Sequence, residues 1–373
     1  MSKNKDAYVE LRNITKSYEN VPFLKNISLK IPHNSYFCIC GPTGSGKSTL
    51  LKIIAGLEKP DQGEIYINGK KVNDVLPEDR GIGMLFEHMT YALFPNLSIY
   101  ENLIYGPRVR GVAAEESKET AAGMLQLIML TERAKDFPEV MSGGMKQRVA
   151  LGRALMTGAK LILLDEPLGA LDAKIRLNLR KELVNMVKSV GDLTVIHVTQ
   201  DIEEALMVSD YVAAIFGGNI LQIGTPEEIY KHPNSIEVCS FFSTSNFFEG
   251  SVTGLEDENV VINMEGTTIR VKNRAFSKGD KVVIAIRATD LSIQKHRTSD
   301  TNQLGGKVLR SQFILGFMRY EVELETKKVI VVNQRYEEGT AFKENKTVMI
   351  TFFPSNILLF PHPGEPLEKK VIT

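Results

Sequence analysis

A glycine-rich segment that ends in lysine and serine is the part of the sequence best suited to bind phosphate. It runs from Gly41 to Thr49 and matches the pattern G-x-x-x-x-G-K-S. Glycines let successive backbone N–H groups point at phosphate oxygens, and a following helix adds partial positive charge. We therefore expect a nucleotide-phosphate loop, called the P-loop below, with contacts from Gly41, Pro42, Thr43, Gly44, Ser45, Gly46, Lys47, Ser48 and Thr49.

Two adjacent carboxylates follow a short apolar run and complete a candidate hydrolytic site. The run Leu161–Leu164 reads as a strand that delivers Asp165 and Glu166 to its carboxyl end. In P-loop enzymes Lys47 would reach the β- and γ-phosphates, the Ser48 hydroxyl would bind Mg²⁺, and Asp165 would hold the metal through water. Glu166 is then the candidate general base for an attacking water. Small-molecule kinases, GTPases, helicases and transporters all use a P-loop, so these residues alone do not choose among them.

The sequence Ser142-Gly143-Gly144 has the composition of a helix start. Serine is a good N-cap, and the glycines leave the first backbone N–H groups accessible. Such a helix N-terminus can present these groups to a phosphate. The same residues also suit an ordinary cap, and the two functions are compatible.

Taken in order, these segments resemble the motifs of ABC ATPases. Ser142–Arg148 is similar to their signature sequence, and the strand ending at Asp165-Glu166 is similar to their Walker B motif. Leu168–Asp172 resembles the D-loop, and His197 resembles the switch histidine. The resemblance implies that ATP and Mg²⁺ are the cofactors and that a dimer closes around two ATP molecules.

The resemblance also implies roles for individual residues. Ser142, Gly143, Gly144, Gln147 and Asp172 would contact nucleotide at a site shared between two subunits. His197 would hydrogen-bond the γ-phosphate, and Lys47 and Glu166 would complete the catalytic set. Tyr18 matches the aromatic position that stacks on adenine, although a tyrosine packed against a strand is the alternative.

One position departs from the family pattern. After Gly83–Phe86 the family carries a glutamine that binds Mg²⁺, whereas this chain has Glu87 followed by His88. A carboxylate is a good Mg²⁺ ligand. We expect Glu87 to keep the metal role with altered hydrolysis or coupling; the alternative is that His88 or a shifted loop removes the contact.

Alternating strand and helix patterns account for the first part of the chain. Strand patterns at 64–67, 161–164, 194–198 and 211–216 are separated by helical patterns at 48–57, 113–130, 145–156 and 171–190. This order predicts an α/β domain with a parallel sheet covered on both faces. We place it at residues 1–237, with a helical subdomain at about 88–155.

Residues 238–373 have a different pattern, with many short β-branched runs separated by turn residues. This predicts an all-β barrel or sandwich. Asn246–Gly250, Ala285–Arg287 and Phe353-Pro354 resemble parts of the OB-like TOBE domain of ABC importers. The usual Arg-Pro-Glu of that domain is Arg287-Ala288-Thr289 here, which leaves its ligand contacts open.

Composition narrows the function classes. The 373 residues exceed one average domain, and 45 basic residues balance 45 acidic ones, which disfavours a nucleic-acid-binding protein. Apolar runs are too short for a transmembrane helix, and the N-terminus lacks a secretory signal. Cys38, Cys40 and Cys239 are expected to be buried strand residues in a reducing compartment.

The order of ATPase and TOBE-like domain predicts the ATPase subunit of an importer at the cytoplasmic face of the cell membrane. Its expected partners are a second ATPase subunit, transmembrane permease subunits and, indirectly, a solute-binding protein, with no nucleic acid. Family frequency favours a sugar or polyol as solute, with oxyanion, iron or polyamine import as the alternative. A soluble ABC ATPase with a nucleic-acid-binding OB domain is the distant alternative.

Overall fold

A computed structural model divides the chain into two units, Met1–His232 and Pro233–Thr373. The structure describes residues 7–86, 93–168, 176–177, 180–181, 183–185, 192–272, 276–296, 302–339 and 341–372. Along the chain, the boundary between the units lies five residues before the domain boundary expected from the sequence. The predictions for Glu87, His88 and Asp172 lie outside the described residues.

The first unit alternates strands and helices, as the sequence predicts. In chain order they are β1 (Ala7–Tyr18), β2 (Val21–Pro32), β3 (Tyr36–Cys40), α1 (Lys47–Ala55), β4 (Gln62–Ile67), β5 (Lys70–Lys71), β6 (Ile82–Leu85), α2 (Ile99–Val109), α3 (Ala114–Leu127), α4 (Gly143–Leu155), β7 (Leu161–Asp165), β8 (Thr194–Thr199), α5 (Ile202–Val208), β9 (Tyr211–Phe216), β10 (Asn219–Gly224) and α6 (Pro226–Lys231). In the range of the helix predicted at 171–190, the described residues are helical.

The strands of this unit form two sheets. The order β2-β1-β4-β5 is antiparallel, and its first hairpin turns through Glu19 and Asn20, both with positive φ, as a two-residue hairpin turn requires. The order β10-β9-β3-β8-β7-β6 is parallel except for β10, which confirms the predicted parallel sheet. Apolar side chains from both sheets and from α1 form one core, so α1 is fixed between them.

The buried Arg80 stabilises the end of α1. Its Nη1 donates to the carbonyls of Ile53 and Ile54 at 3.1 and 2.7 Å, and its Nε donates to Val75 O at 3.0 Å. A helix leaves its last carbonyls without partners, so these bonds satisfy them. Burial lowers the pKa of Arg80, but the cation still bonds three carbonyls.

The second unit begins with one short helix and continues as strands. They are α7 (Ile236–Phe242), β11 (Ser245–Glu256), β12 (Asn259–Met264), β13 (Thr267–Lys272), β14 (Lys281–Arg287), β15 (Leu291–Gln294), β16 (Gln303–Ile314), β17 (Phe317–Leu324), β18 (Val329–Arg335), β19 (Thr347–Phe352) and β20 (Leu358–Pro361). Two five-stranded antiparallel sheets, β13-β12-β11-β14-β20 and β15-β19-β16-β17-β18, supply side chains to one shared core. The predicted β-rich domain is therefore confirmed.

The cysteines and the lengths of the helices also bear on predictions made from the sequence. Cys38, Cys40 and Cys239 are buried free thiols. Cys38 and Cys40 lie in strand β3 as expected, whereas Cys239 lies in helix α7 and not in a strand. Among the described residues, no helix combines the length and apolar character that a membrane crossing needs.

Replacing Arg80 with alanine should lower the free energy of unfolding by roughly 2 kcal/mol, because three buried carbonyls lose a charged donor. Urea or thermal unfolding of the full chain measures this. Arg12→Ala is the control, since Arg12 is half-exposed and pairs with Glu10 at the surface; its effect on the free energy of unfolding should be much smaller, because exposed ion pairs contribute little. Equal losses for the two variants would contradict the capping role.

Candidate functional site

The P-loop connects the carboxyl end of β3 to the first turn of α1. Gly46, the N-cap of α1, has φ 104°, and a Cβ there would lie 2.5 Å from Leu24 Cδ2. Gly44 also has a positive φ of 78°. Only glycine adopts this backbone without strain, so the glycine spacing follows from the shape of the loop.

A cleft of about 240 Å³ opens above the P-loop. Its lining consists of Phe23, Thr43, Gly44, Gly46, Lys47, Ser48, Thr49, Glu166 and Gln200. The structure thus brings the predicted loop residues together with the predicted base. Gly41 and Ser45 lie beneath the cleft and are buried.

The buried Lys47 folds back over its own loop. Its Nζ donates to Gly41 O at 2.9 Å and to Pro42 O at 3.0 Å. The carbonyl acceptors are uncharged, and an ammonium group forms stronger hydrogen bonds with an anionic phosphate than with a carbonyl. A bound phosphate would therefore compete well for this ammonium group.

The parallel pairing of β3, β8 and β7 brings Asp165 to the same edge of the sheet as the P-loop. Asp165 ends β7, and Ser48 Oγ donates to Asp165 Oδ1 at 2.9 Å. A hydroxyl and a carboxylate are the oxygen ligands that Mg²⁺ prefers, and Mg²⁺ takes only one or two protein ligands beside phosphate and water. The pair therefore fits Mg²⁺ that a nucleotide helps to hold.

Glu166 follows directly and has an unusual backbone. Its φ is 45°, a left-handed conformation that costs a non-glycine residue roughly 1–3 kcal/mol and is concentrated at functional sites. Its backbone N donates to Val198 O at 2.9 Å, and Gln200 N donates to its Oε1 at 3.0 Å. Burial raises the pKa of Glu166 to about 7, and Lys47 opposes this shift. A carboxylate of that basicity suits proton abstraction near neutral pH.

The structure contradicts the predicted phosphate contact of His197. This residue lies within β8, opposite Cys38 on one side and Leu164 on the other, and it is fully buried. Its Nδ1 is 2.9 Å from the Tyr36 hydroxyl, and burial lowers the pKa of His197 to about 3. It is a neutral core residue outside the cleft.

Gln200 occupies the place expected for His197. Strand β8 continues to Thr199, so Gln200 is the first residue to leave the sheet. It lines the cleft, and Thr43 Oγ1 donates to its Oε1 at 2.7 Å. The signal for this was present in the sequence: Asp201 caps α5 by accepting from Glu204 N, and Asp followed three residues later by Glu marks a helix start.

The signature segment has the expected helix start. Ser142 caps α4 and its Oγ accepts from Met145 N at 3.3 Å, while Ser142 and Gly143 are exposed. Gly144 is half-buried. None of the three is among the lining residues of the cleft in the described part of this chain. They are accessible for contact with another molecule.

Gln147 differs from its prediction. It is buried, and its Nε2 donates to Pro167 O at 2.6 Å. A nucleotide contact by this side chain is contradicted by its position, because the helical register turns it inward. Its observed contact ties α4 to the segment that follows Glu166.

Tyr18 lies at the end of β1, near the cleft. Its ring is 43% exposed and packs edge-on against Phe23, which lines the cleft, with ring centroids 5.4 Å apart. Its hydroxyl donates to Glu58. The adenine contact of Tyr18 stays a prediction.

Comparison with known proteins adds independent findings. A family model described as ABC transporter matches residues 24–169. The spermidine/putrescine import ATP-binding protein PotA of Legionella pneumophila is 34% identical over 95% of this chain and 99% of that protein. PotA of Thermotoga maritima is 34% identical over 93% and 96%, and PotA of Clostridium acetobutylicum is 37% identical over 87% and 88%.

A solved structure is also similar. The dimeric, post-hydrolysis structure of the ATP-binding cassette MJ0796, bound to ADP and Pi, has a TM-score of 0.52 and 34% identity. The match covers 58% of this chain and 98% of that one. These findings confirm the resemblance on which the sequence-based expectations rest.

Because Gln200 lines the cleft and His197 is buried in the core, substitutions of the two residues should affect ATP binding differently. Gln200→Ala should weaken ATP binding by roughly tenfold, because it removes from the cleft an amide group that can donate a hydrogen bond to a phosphate oxygen. His197→Gln should leave the Kd for ATP within about twofold and lower the thermal midpoint, because it disturbs only the core. Calorimetric titration with ATP measures both; weaker binding in the His197 variant alone would reverse the assignment.

Proposed function

Because the chain belongs to the ABC transporter family as an ATP-hydrolysing import subunit, we propose that it powers the import of a polyamine. The observation that carries this proposal is the near full-length match to spermidine/putrescine import proteins, which spans both units. The solute named for these relatives supports the polyamine alternative over the sugar or polyol favoured from the sequence. We propose that solute choice rests on the permease and solute-binding partners.

We propose roles for the cleft residues from their positions. Lys47 moves from the carbonyls of Gly41 and Pro42 to the β- and γ-phosphates. Ser48 and Asp165 hold Mg²⁺, which neutralises charge on the phosphates. Glu166 accepts the proton of the attacking water, and the Gln200 side chain lies on the γ-phosphate side of the cleft.

The signature segment supports a shared site. Ser142 and Gly143 are exposed at the start of α4, outside the cleft of their own chain. We propose that they contact the ATP held by a second copy, as the dimeric arrangement of the related cassette suggests. ATP then holds two subunits together, and hydrolysis separates them.

The remaining assignments extend this proposal. Glu87 stays a proposed Mg²⁺ ligand, Asp172 a proposed contact at the subunit junction, and Tyr18 a proposed adenine platform. Residues 233–373 are proposed to be a TOBE domain. Permease subunits are the proposed membrane partners, with a solute-binding protein acting through them, and the proposed location is the cytoplasmic face of the membrane.

Glu166→Gln should convert the protein into a stable ATP-bound dimer with turnover reduced by roughly 100-fold or more, because the amide cannot accept the proton. Gel filtration with light scattering in Mg²⁺ and ATP measures the dimer, and phosphate release measures turnover. The Glu166→Gln, Lys47→Ala double variant is the control and should stay monomeric, since it holds ATP poorly. Near-normal turnover of Glu166→Gln would remove Glu166 from the base role.

Spermidine or putrescine should stimulate ATP hydrolysis several-fold in the complex reconstituted with permease and solute-binding partners, whereas maltose should not. Stimulation reflects coupling of solute delivery to closure of the ATPase dimer. The same complex carrying Glu166→Gln gives the background rate. Stimulation by maltose and none by polyamines would reject the proposed solute while leaving the ATPase assignment intact.

A further inference from the structure

Buried polar residues lie behind Glu166 and belong to neither the P-loop nor the metal pair. They are Thr199, Glu204, His197 and Tyr36, and each is buried. Buried polar groups are costly unless they find partners, so a connected set of them requires an explanation. This set is called the buried chain below.

The Thr199 hydroxyl lies between two carboxylates. Its Oγ1 is 2.8 Å from Glu204 Oε2 and 3.4 Å from Glu166 Oε2, and both carboxylate oxygens are acceptors. Its oxygen is itself fixed, because it accepts from Asp201 N at 3.0 Å. The hydroxyl has one proton, so it bonds one carboxylate well at a time and sets the spacing between the two.

Glu204 faces His197 on its other side. Its Oε1 is 3.5 Å from His197 Nε2, and within the described part of the chain neither atom has a hydrogen-bond partner. His197 Nδ1 in turn lies 2.9 Å from the Tyr36 hydroxyl. The Glu204 carboxylate therefore sits between the imidazole and the Thr199 hydroxyl.

The buried chain joins three elements of the core. Tyr36 begins β3, His197 and Thr199 belong to β8, and Glu204 lies in α5. Side chains fixed on packed strands and helices hold their geometry better than side chains on loops. The far end of this rigid set touches Oε2 of Glu166, while Gln200 N holds Oε1.

We propose that Thr199 is a positioning residue for hydrolysis, with its hydroxyl linking the Glu166 carboxylate to the buried Glu204. This inference rests on the proposed role of Glu166 and adds the part that orients it. Thr199 is not among the lining residues of the cleft in the described part of the chain, so it acts on turnover through Glu166. A displacement of the reacting group by about 1 Å is enough to lower rates by up to about 100-fold.

Thr199→Val removes the hydroxyl and keeps the shape. In the purified full-length protein we expect kcat for ATP to fall roughly tenfold or more, with KM and the Kd for ATP within about twofold because ground-state binding is untouched. Thr199→Ser restores a hydroxyl and should recover most of kcat. If the Val variant does not fold, Thr199→Ala provides the same deletion without the added methyl group.

Thr194→Val is the matched control. Thr194 is also a buried threonine of β8, but at its opposite end, where its Oγ1 accepts from Asn34 N at 3.1 Å. This variant removes one buried hydroxyl from the same strand and should keep kcat within about twofold of the wild-type value. A general loss from weakening the strand would lower kcat in both variants.

A background test separates this inference from the role of Glu166 itself. In Glu166→Gln protein, adding Thr199→Val should leave the residual rate within about twofold, since the oriented group is already gone. Normal turnover of Glu166→Gln alone overturns the proposed base. Two other outcomes overturn the positioning role when Glu166→Gln does lose turnover. One is a normal kcat in Thr199→Val, and the other is an equal fall of kcat on adding Thr199→Val to the wild-type and to the Glu166→Gln protein.

Discussion

The parallel pairing of β3, β8 and β7 is the constraint on which the site depends. It places Cys40 opposite Thr199 and Asp165 opposite Val198, so the chain leaves all three strands at one edge of the sheet. The P-loop, the carboxylate pair and Gln200 each follow one of these strand ends. The 2.9 Å contact between Ser48 and Asp165, 117 residues apart, results from this pairing.

The sequence predicted the parts that local chemistry determines. Gly44 and Gly46 adopt positive φ values, and only glycine does so freely. The glycines together with Lys47 and Ser48 therefore identify the loop. The four apolar residues before Asp165 mark a strand buried on both faces, which is typical of a central parallel strand. The short apolar runs of the second unit indicated its strands for a related reason, since their apolar side chains supply the core of that unit.

The site residues predicted from the sequence were wrong where the end or the register of a strand or helix decides which residue faces the cleft. His197 and Gln200 are three positions apart. Strand β8 ends two residues after His197, so His197 is buried in the core and Gln200 lies at the cleft. The nucleotide contact predicted for Gln147 is wrong because the register of α4, and not the signature motif, decides which side chains of this helix are buried. The long hairpin of β1 and β2 was missed because its bulges at Asn13 and Asn26 interrupt the alternation.

A crystal structure of the Glu166→Gln protein with Mg²⁺ and ATP tests the central claim most directly. We expect a dimer in which the γ-phosphate contacts Lys47 and the Gln200 side chain of one copy and Ser142 of the other. Thr199 and His197 should stay behind residue 166 without touching the nucleotide. A γ-phosphate bound by His197, or a dimer in which Ser142 lies far from both nucleotides, would contradict this arrangement.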